Sequence, residues 1–474
     1  MWIISALVLC IVIPLLLHNA TGGPSNQRNP WWATAIIVTS GLAYSAVIAS
    51  RGRQLFGMVL WLFTYIFMGM APYVQFRLDV LPGTTPEVDQ DLYPAAGALV
   101  IVASLAVMAG AILARRRPAG TSMRQLRVDP TRANILTLFA LAVFAYYGST
   151  IGFGSFLLSR SELSAIRESA WGASPLRVIL TGGQNMLLLV GFIAQMTVRQ
   201  QAKLAGRKPQ WLLPLINGVV LIYAVNPVSS ARYVVGTVIL AMLATFGAYA
   251  TLQRFRMMAV ASVAGMLFIF PLADLFRRST DVSVQVEGPI RALTSGDFDA
   301  FAQLTNTLSY VGSNGLSWGG QILGALLFWV PRSIWPSKPQ DTGVVLAEAM
   351  GYRFTNLSSP IWSELFIDFG WVGVILGMGV LGYLFMRWDV RTDLYLATSR
   401  VPPVVVSATA FYLLIVLRGS LLNAVSYLLV ILLAAWFVTP RVGKASRTTA
   451  GIKRPQHSPR LPLQTAGTRT HQSR

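Results

Sequence analysis

Apolar residues in this chain gather into long, nearly unbroken runs. They show neither the alternation of a half-buried strand nor the stripe of a surface helix. A helix that crosses the hydrocarbon core of a bilayer needs about 20 mostly apolar residues. Twelve segments approach that pattern, near residues 1–18, 31–50, 55–76, 92–114, 133–152, 178–198, 211–226, 232–250, 256–273, 364–386, 402–418 and 420–438. The break Asn226-Pro227-Val228-Ser229-Ser230-Ala231 predicts a tight turn at one surface between the seventh and eighth. The first run has no basic region before it and no clear small-residue cleavage site, so it is expected to remain as a span. The expected fold is an all-α polytopic membrane protein with about 12 transmembrane helices over residues 1–438.

Composition agrees. The chain has 474 residues, 54% of them hydrophobic and only 12% charged. About a quarter of a soluble globular protein is charged, so a soluble enzyme, a fibrous protein and a disordered chain are excluded. The net charge of +20 would by itself point to nucleic acid. Its distribution argues otherwise. With the N-terminus in the cytoplasm and sides alternating, 25 basic and 3 acidic residues fall inside, a net of +22. The other side holds 13 basic and 15 acidic residues, a net of −2. Every short inner loop is basic, as the positive-inside rule requires. No nucleic-acid partner is implied. Residues 439–474, rich in Pro, Ser, Thr and Arg, are expected to form a basic, disordered cytoplasmic tail lying on anionic lipid. Cys10 is the single cysteine, which excludes an internal disulfide and a cysteine metal cluster.

Three outer connections are long: 77–91, proline-rich and acidic; 152–177, with a short amphipathic helix around Arg160, Glu162, Arg167 and Glu168; and 273–363, between helices 9 and 10. A loop of that last length is usually functional. Its apolar stretch Gly320–Val330 is too short to span and reads as re-entrant or buried. Outer basic residues are few: Arg232, Arg277, Arg278, Arg332, Lys338 and Arg418 are the candidates for an anionic substrate, since guanidinium binds phosphate through paired donors. Trp335 and Trp362 either stack on sugars or belong to an interfacial aromatic belt. Glu364 and Asp368 share a helix face, and Asp299 is a third acid. Any of these acids serves as a base or simply counters an arginine. Asp297 and Asp299 have a DxD spacing, but histidine is scarce and no metal motif is present, so no metal and no cofactor are expected.

The run Phe328-Trp-Val-Pro331-Arg332-Ser-Ile-Trp335-Pro-Ser-Lys338-Pro339, then Ser359-Pro360 to Glu364, then Phe369-Gly370-Trp-Val-Gly373, resembles the bacterial O-antigen and exopolysaccharide repeat-unit polymerases. Tyr223-Ala-Val-Asn226-Pro227, Ser230-Ala-Arg232-Tyr233 and Pro271 to Arg277 are similar to further pieces of that family. The resemblance covers roughly residues 220–385. It implies a GT-C-like integral-membrane glycosyltransferase in the bacterial inner membrane, with both termini cytoplasmic and the active site extracytoplasmic. Such an enzyme takes undecaprenyl-pyrophosphate-linked oligosaccharide as donor and acceptor and releases the carrier pyrophosphate. It also implies a flippase and a chain-length regulator as partners. Carried onto this chain, Arg232, Arg277, Arg278, Arg332, Lys338 and Arg418 would bind pyrophosphate, with Arg332 also stabilising the leaving group. Glu364 or Asp299 would be the base. The related O-antigen ligases are expected to carry a histidine in the large outer loop, and residues 273–363 have none. Another extracytoplasmic lipid-linked glycan transferase remains an alternative. So does a lipid-linked sugar transporter, which would need polar groups within the spans and two related halves.

Overall fold

The computed structural model describes residues 1–22, 28–117, 127–172, 175–270, 288–355 and 357–440. Among them the chain is helical throughout, with no strand. In order the helices are α1 Trp2–Ala20, α2 Trp31–Ala49, α3 Leu55–Leu78 and α4 Gln90–Arg116. Next come α5 Pro130–Ile151, α6 Arg160–Trp171, α7 Pro175–Leu204, α8 Leu212–Ala224, α9 Arg232–Thr245 and α10 Leu252–Ile269. The chain then runs through α11 Ala300–Asn314, α12 Gly320–Leu326, α13 Thr342–Ala349, α14 Ile361–Leu396, α15 Val404–Arg418 and α16 Leu421–Val438. Eight of them (α1–α5, α10, α14 and α16) are long and apolar enough to cross a membrane, so the protein is a polytopic helical membrane protein.

All twelve apolar segments are helical, but three helices are shorter than their runs: α8, α9 and α15 have 13, 14 and 15 residues. In α9 the reason is local. Gly247, at φ +84°, turns the chain away just after Thr245, in a backbone region that favours glycine. Residues 439–440 follow α16, and the expected disordered tail, 441–474, lies outside the described residues.

α3 is the centre of the bundle. It is buried along its whole apolar length, and a π-helical segment, Thr64–Met70, interrupts its regular turns. A ladder of rings runs from it to the long 273–363 connection: Phe63 on Phe67 at 4.6 Å, then Phe67 on Phe298 at 4.8 Å. α4 and α14 pack closely enough that a Cβ on Gly110 would sit 2.0 Å from the Gly379 carbonyl oxygen, and one on Gly382 2.2 Å from that of Val107. Small residues allow backbones to approach so closely in membrane helices.

α14 breaks at Gly370, whose φ of +60° and ψ of −147° are open essentially to glycine alone. Its buried acids cap other helices. Asp389 accepts the Phe56 and Gly57 amides at the start of α3, at 2.9 and 3.0 Å. Asp368 accepts those of Gln321 and Ile322 at the start of α12, at 3.0 and 2.8 Å. Glu364 accepts the Leu421 amide at the start of α16, at 3.2 Å. A carboxylate suits a helix N-terminus because it meets both the orphan N–H groups and the positive end of the dipole. Two of these acids, Glu364 and Asp368, are buried within the apolar segment 364–386. α12, in the apolar stretch Gly320–Val330, buries Gln321, Gly324 and Ala325 and leaves Leu323 and Leu326 exposed, as is the nearby Trp329.

Contacts sort the connections into two ends. At one end Arg53 pairs with Asp393 and donates to the Ala250 carbonyl, Arg256 donates to the Ile48 carbonyl, and the Asp129 amide donates to the Val438 carbonyl. At the other, Gln75 reaches the Leu293 and Phe298 carbonyls, Asn226 reaches the Phe156 carbonyl, and the Ser359 amide reaches the Arg418 carbonyl. Successive long helices join one end to the other.

Candidate functional site

The second of these ends holds a polar cavity of about 580 Å³. Three short segments build it. Asn226 forms an Asx turn, accepting the Val228 and Ser229 amides at 3.0 and 3.1 Å, and this turn delivers Arg232 as the first residue of α9. Arg418 ends α15, where a cation complements the helix dipole. Between them sits the 3₁₀ turn Gly296–Phe298. Phe298 is completely buried in the aromatic ladder and its carbonyl is held by Gln75, so the flanking Asp297 and Asp299 are thrust towards the arginines.

The pairing is specific. Arg232 meets Asp297 at 2.7 Å, and the Tyr233 hydroxyl donates to the same carboxylate at 2.7 Å. Arg418 meets Asp299 at 3.0 Å and also donates to the Asp297 and Gly296 carbonyls, at 3.0 and 3.3 Å. Its guanidinium lies over the Tyr233 ring, 4.4 Å from the centroid. Thr84, from the 79–89 connection, donates to Asp299 at 3.3 Å. These charges are buried, yet none is isolated, which is the condition under which burial is tolerable. Among the described residues the Arg418 Nη1 group makes no hydrogen bond, and Arg160 of α6 contributes a third guanidinium to the wall.

Asp341 completes the site. Its carboxylate caps α13 through the Gly343 amide at 3.0 Å and accepts from Asn423 of α16. Among the described residues it is the cavity acid without an arginine partner. Burial pushes its pKa up, and hydrogen bonds from Ser420, Gly343, Val344 and Asn423 hold it back.

Of the residues expected from sequence, the structure brings together Arg232, Arg418 and Asp299. Arg332 and Lys338 are elsewhere, turned onto their own loop. Arg332 donates to the Lys338 and Pro339 carbonyls, at 2.7 and 3.2 Å, and Lys338 donates to those of Phe328 and Val330, at 2.6 and 3.1 Å. Partial burial and the Arg332 guanidinium lower the Lys338 pKa. Trp335 donates to Ser337 within the same loop. Trp362 is buried and packed against Phe63 at 6.0 Å, so neither face is open to a sugar. Glu364 is 1% exposed and occupied by the Leu421 amide and the Thr342 hydroxyl, the latter at 3.0 Å, which makes it a capping group. Arg277 and Arg278 lie outside the described residues. The residues that sequence reasoning missed are Thr84, Arg160, Tyr233, Asp341 and Asn423. Tyr233 adjoins Arg232 and Asp341 opens a capping sequence, Asp341-Thr342-Gly343, but Thr84 and Asn423 carry no local signal. Comparison with family models, curated proteins and solved structures finds no match to this chain.

Proposed function

We propose that this protein is an extracytoplasmic glycosyltransferase that polymerises polyprenyl-pyrophosphate-linked oligosaccharide repeat units. The observation that carries the reading is the segment 289–299, which walls two unlike spaces. Pro289, Ile290 and Leu293 close an apolar groove of about 680 Å³ between α1 and α10. Two to six residues later, Ser295, Gly296, Asp297 and Asp299 line the polar cavity. A substrate with a long isoprenoid tail, a charged pyrophosphate and a hydroxyl-rich glycan needs that sequence of surroundings. In this reading all twelve apolar helices cross the membrane, with the short α8, α9 and α15 completed by their polar flanks. The polar cavity then faces outward, because the opposite end carries the basic loops.

The division of labour follows from the chemistry of each group. Arg232 and Arg418 hold the pyrophosphate, with the Nη1 of Arg418 as the first donor and Arg160 as a third guanidinium. As the sugar C1–O bond breaks, the leaving pyrophosphate gains charge, and fixed guanidinium groups stabilise it without reorganising. Asp341 takes the proton of the acceptor hydroxyl as that oxygen bonds to C1. Asp297 and Asp299 position the two arginines; this moves the base from Glu364 and Asp299 to Asp341.

The test uses full-length protein in nanodiscs and the lipid-linked repeat unit extracted from cells lacking this gene. The expected product is a ladder of longer glycans. An unlengthened substrate, with binding intact, would refute the reading, and appearance of the lipid on the opposite leaflet would favour a transporter.

A further inference from the structure

The end opposite the polar cavity carries a second polar site. Two depressions lie side by side there, of about 580 and 390 Å³. They share Gln200 and Leu204 of α7 with Thr398 and Ser399 of the α14–α15 connection, so they form one continuous hollow. Arg127 and Arg207 line the larger part, and Arg254 and Arg400 the smaller. Among the described residues no aspartate or glutamate lines either.

Basic loops at this end satisfy the positive-inside rule, which by itself needs no pocket. The pairing is what distinguishes the hollow. Each described carboxylate at this end is already committed: Asp129 caps α5 through the Arg132 amide, Asp389 caps α3, and Asp393 pairs with Arg53 at 2.6 Å. Among the described residues none of the four hollow arginines has an ion-pair partner; the Arg254 guanidinium donates to the Gly247 carbonyl at 3.2 Å. Four like charges around one concavity focus a positive potential, and an anion entering it relieves their repulsion. Gln200, Thr251, Thr398 and Ser399 add neutral polar groups along the same wall.

We propose that this hollow binds a phosphate group, held by Arg127, Arg207, Arg254 and Arg400. The phosphate comes either from the headgroup of an anionic phospholipid or from a soluble phosphate compound. Guanidinium pairs are suited to both, and the apolar wall of Val128, Val198 and Leu204 gives an acyl chain a path beside the headgroup.

The experiment uses full-length protein in nanodiscs of phosphatidylcholine alone, in nanodiscs doped with phosphatidylglycerol, and in phosphatidylcholine with inorganic pyrophosphate added. Thermal midpoints and native mass spectra of retained ligand are compared for wild type, Arg127→Gln/Arg207→Gln and Arg254→Gln/Arg400→Gln. Arg51→Gln, an exposed arginine at the same end outside the hollow, is the control. A rise with phosphatidylglycerol that the double variants abolish identifies the lipid source, and a rise with pyrophosphate that they abolish identifies the soluble one, because the polar cavity at the other end is unchanged in these variants. In either case each double variant is expected to weaken retention about tenfold while Arg51→Gln does not. If neither ligand raises the wild-type midpoint, or if both double variants retain ligand like wild type, the proposal is overturned. A double variant that does not fold leaves the other as the test.

Discussion

The Arg418–Asp299 pair is the most direct test of how the polar cavity is held. Asp299 is 1% exposed and Arg418 is 15% exposed, and their charged atoms meet at 3.0 Å. With the charge centres about 4 Å apart, an effective dielectric constant near 20 gives an attraction of about 4 kcal/mol. Among the described residues neither group has another ion-pair partner within 4.0 Å, so replacing one strips the other of its nearest countercharge. Arg418→Met keeps an apolar stem comparable to the aliphatic part of the arginine and removes the guanidinium charge. It is expected to cost about 3–5 kcal/mol. Asp299→Leu alone should cost a similar amount, because Arg418 then keeps the Gly296 and Asp297 carbonyls and the Tyr233 ring but loses its ion-pair partner. Arg418→Met/Asp299→Leu together should cost far less than the sum, since an apolar pair replaces a buried ion pair at little or no loss. The assay is reversible unfolding of the purified protein in mixed micelles with increasing denaturing detergent, read as a double-mutant cycle. A coupling of about 2–4 kcal/mol is expected. Strict additivity, or a single-variant cost below about 1 kcal/mol, would show that the pair is solvated and that the cavity is held some other way.

Other outcomes follow from individual contacts. Gly110→Val places side-chain atoms where the Gly379 carbonyl oxygen stands, forcing α4 and α14 apart. It should lower the thermal midpoint measurably, by about 1–3 kcal/mol of stability or more, whereas Gly83→Ala, with nothing within 4 Å, should be silent. Asp389→Ala strips two amides at the start of α3 of their charged acceptor and should cost about 1.5–3 kcal/mol, read by the same detergent titration. For Asp341, a raised folded pKa means the protonated form persists to higher pH than in the unfolded chain. Its contribution to stability is therefore fully present below the unfolded value of about 3.9 and lost as pH rises through the folded value, while polymerisation rises over that same folded-state titration. Asp341→Asn should flatten both profiles. Arg332→Ala, removing bonds only within its own loop, should reduce polymerisation far less than Arg418→Gln; equal losses would return Arg332 to the site.

Helix positions were largely legible in the sequence, because hydrocarbon demands long apolar runs and satisfied backbone groups wherever the chain crosses. Every expected segment is helical, the Asn226 turn forms where its Asn-Pro sequence predicts, and the amphipathic helix at Arg160 is present with a Ser159–Glu162 capping box. The basic and acidic connections also separate cleanly in the linear pattern, since that bias resides in loop composition. What composition does not carry is partnership. Glu364, Asp299 and Asp341 are all acids near helix ends on the cavity side, and only the packing makes the first a cap for α16, the second a partner of Arg418 and the third a cavity carboxylate. Arg332 and Lys338 read as strongly as Arg232 in one dimension, yet their compact loop satisfies them on its own carbonyls. The polar cavity joins Thr84, Arg232, Asp299 and Arg418, which stand up to 334 positions apart and are united by helix ends meeting at one surface. Sequence alone thus determined a polytopic helical chain with two unlike ends, because transfer free energy is additive along short windows. Tertiary structure alone decided which charges meet, because a buried ion pair depends on two side chains arriving at one place from distant parts of the chain.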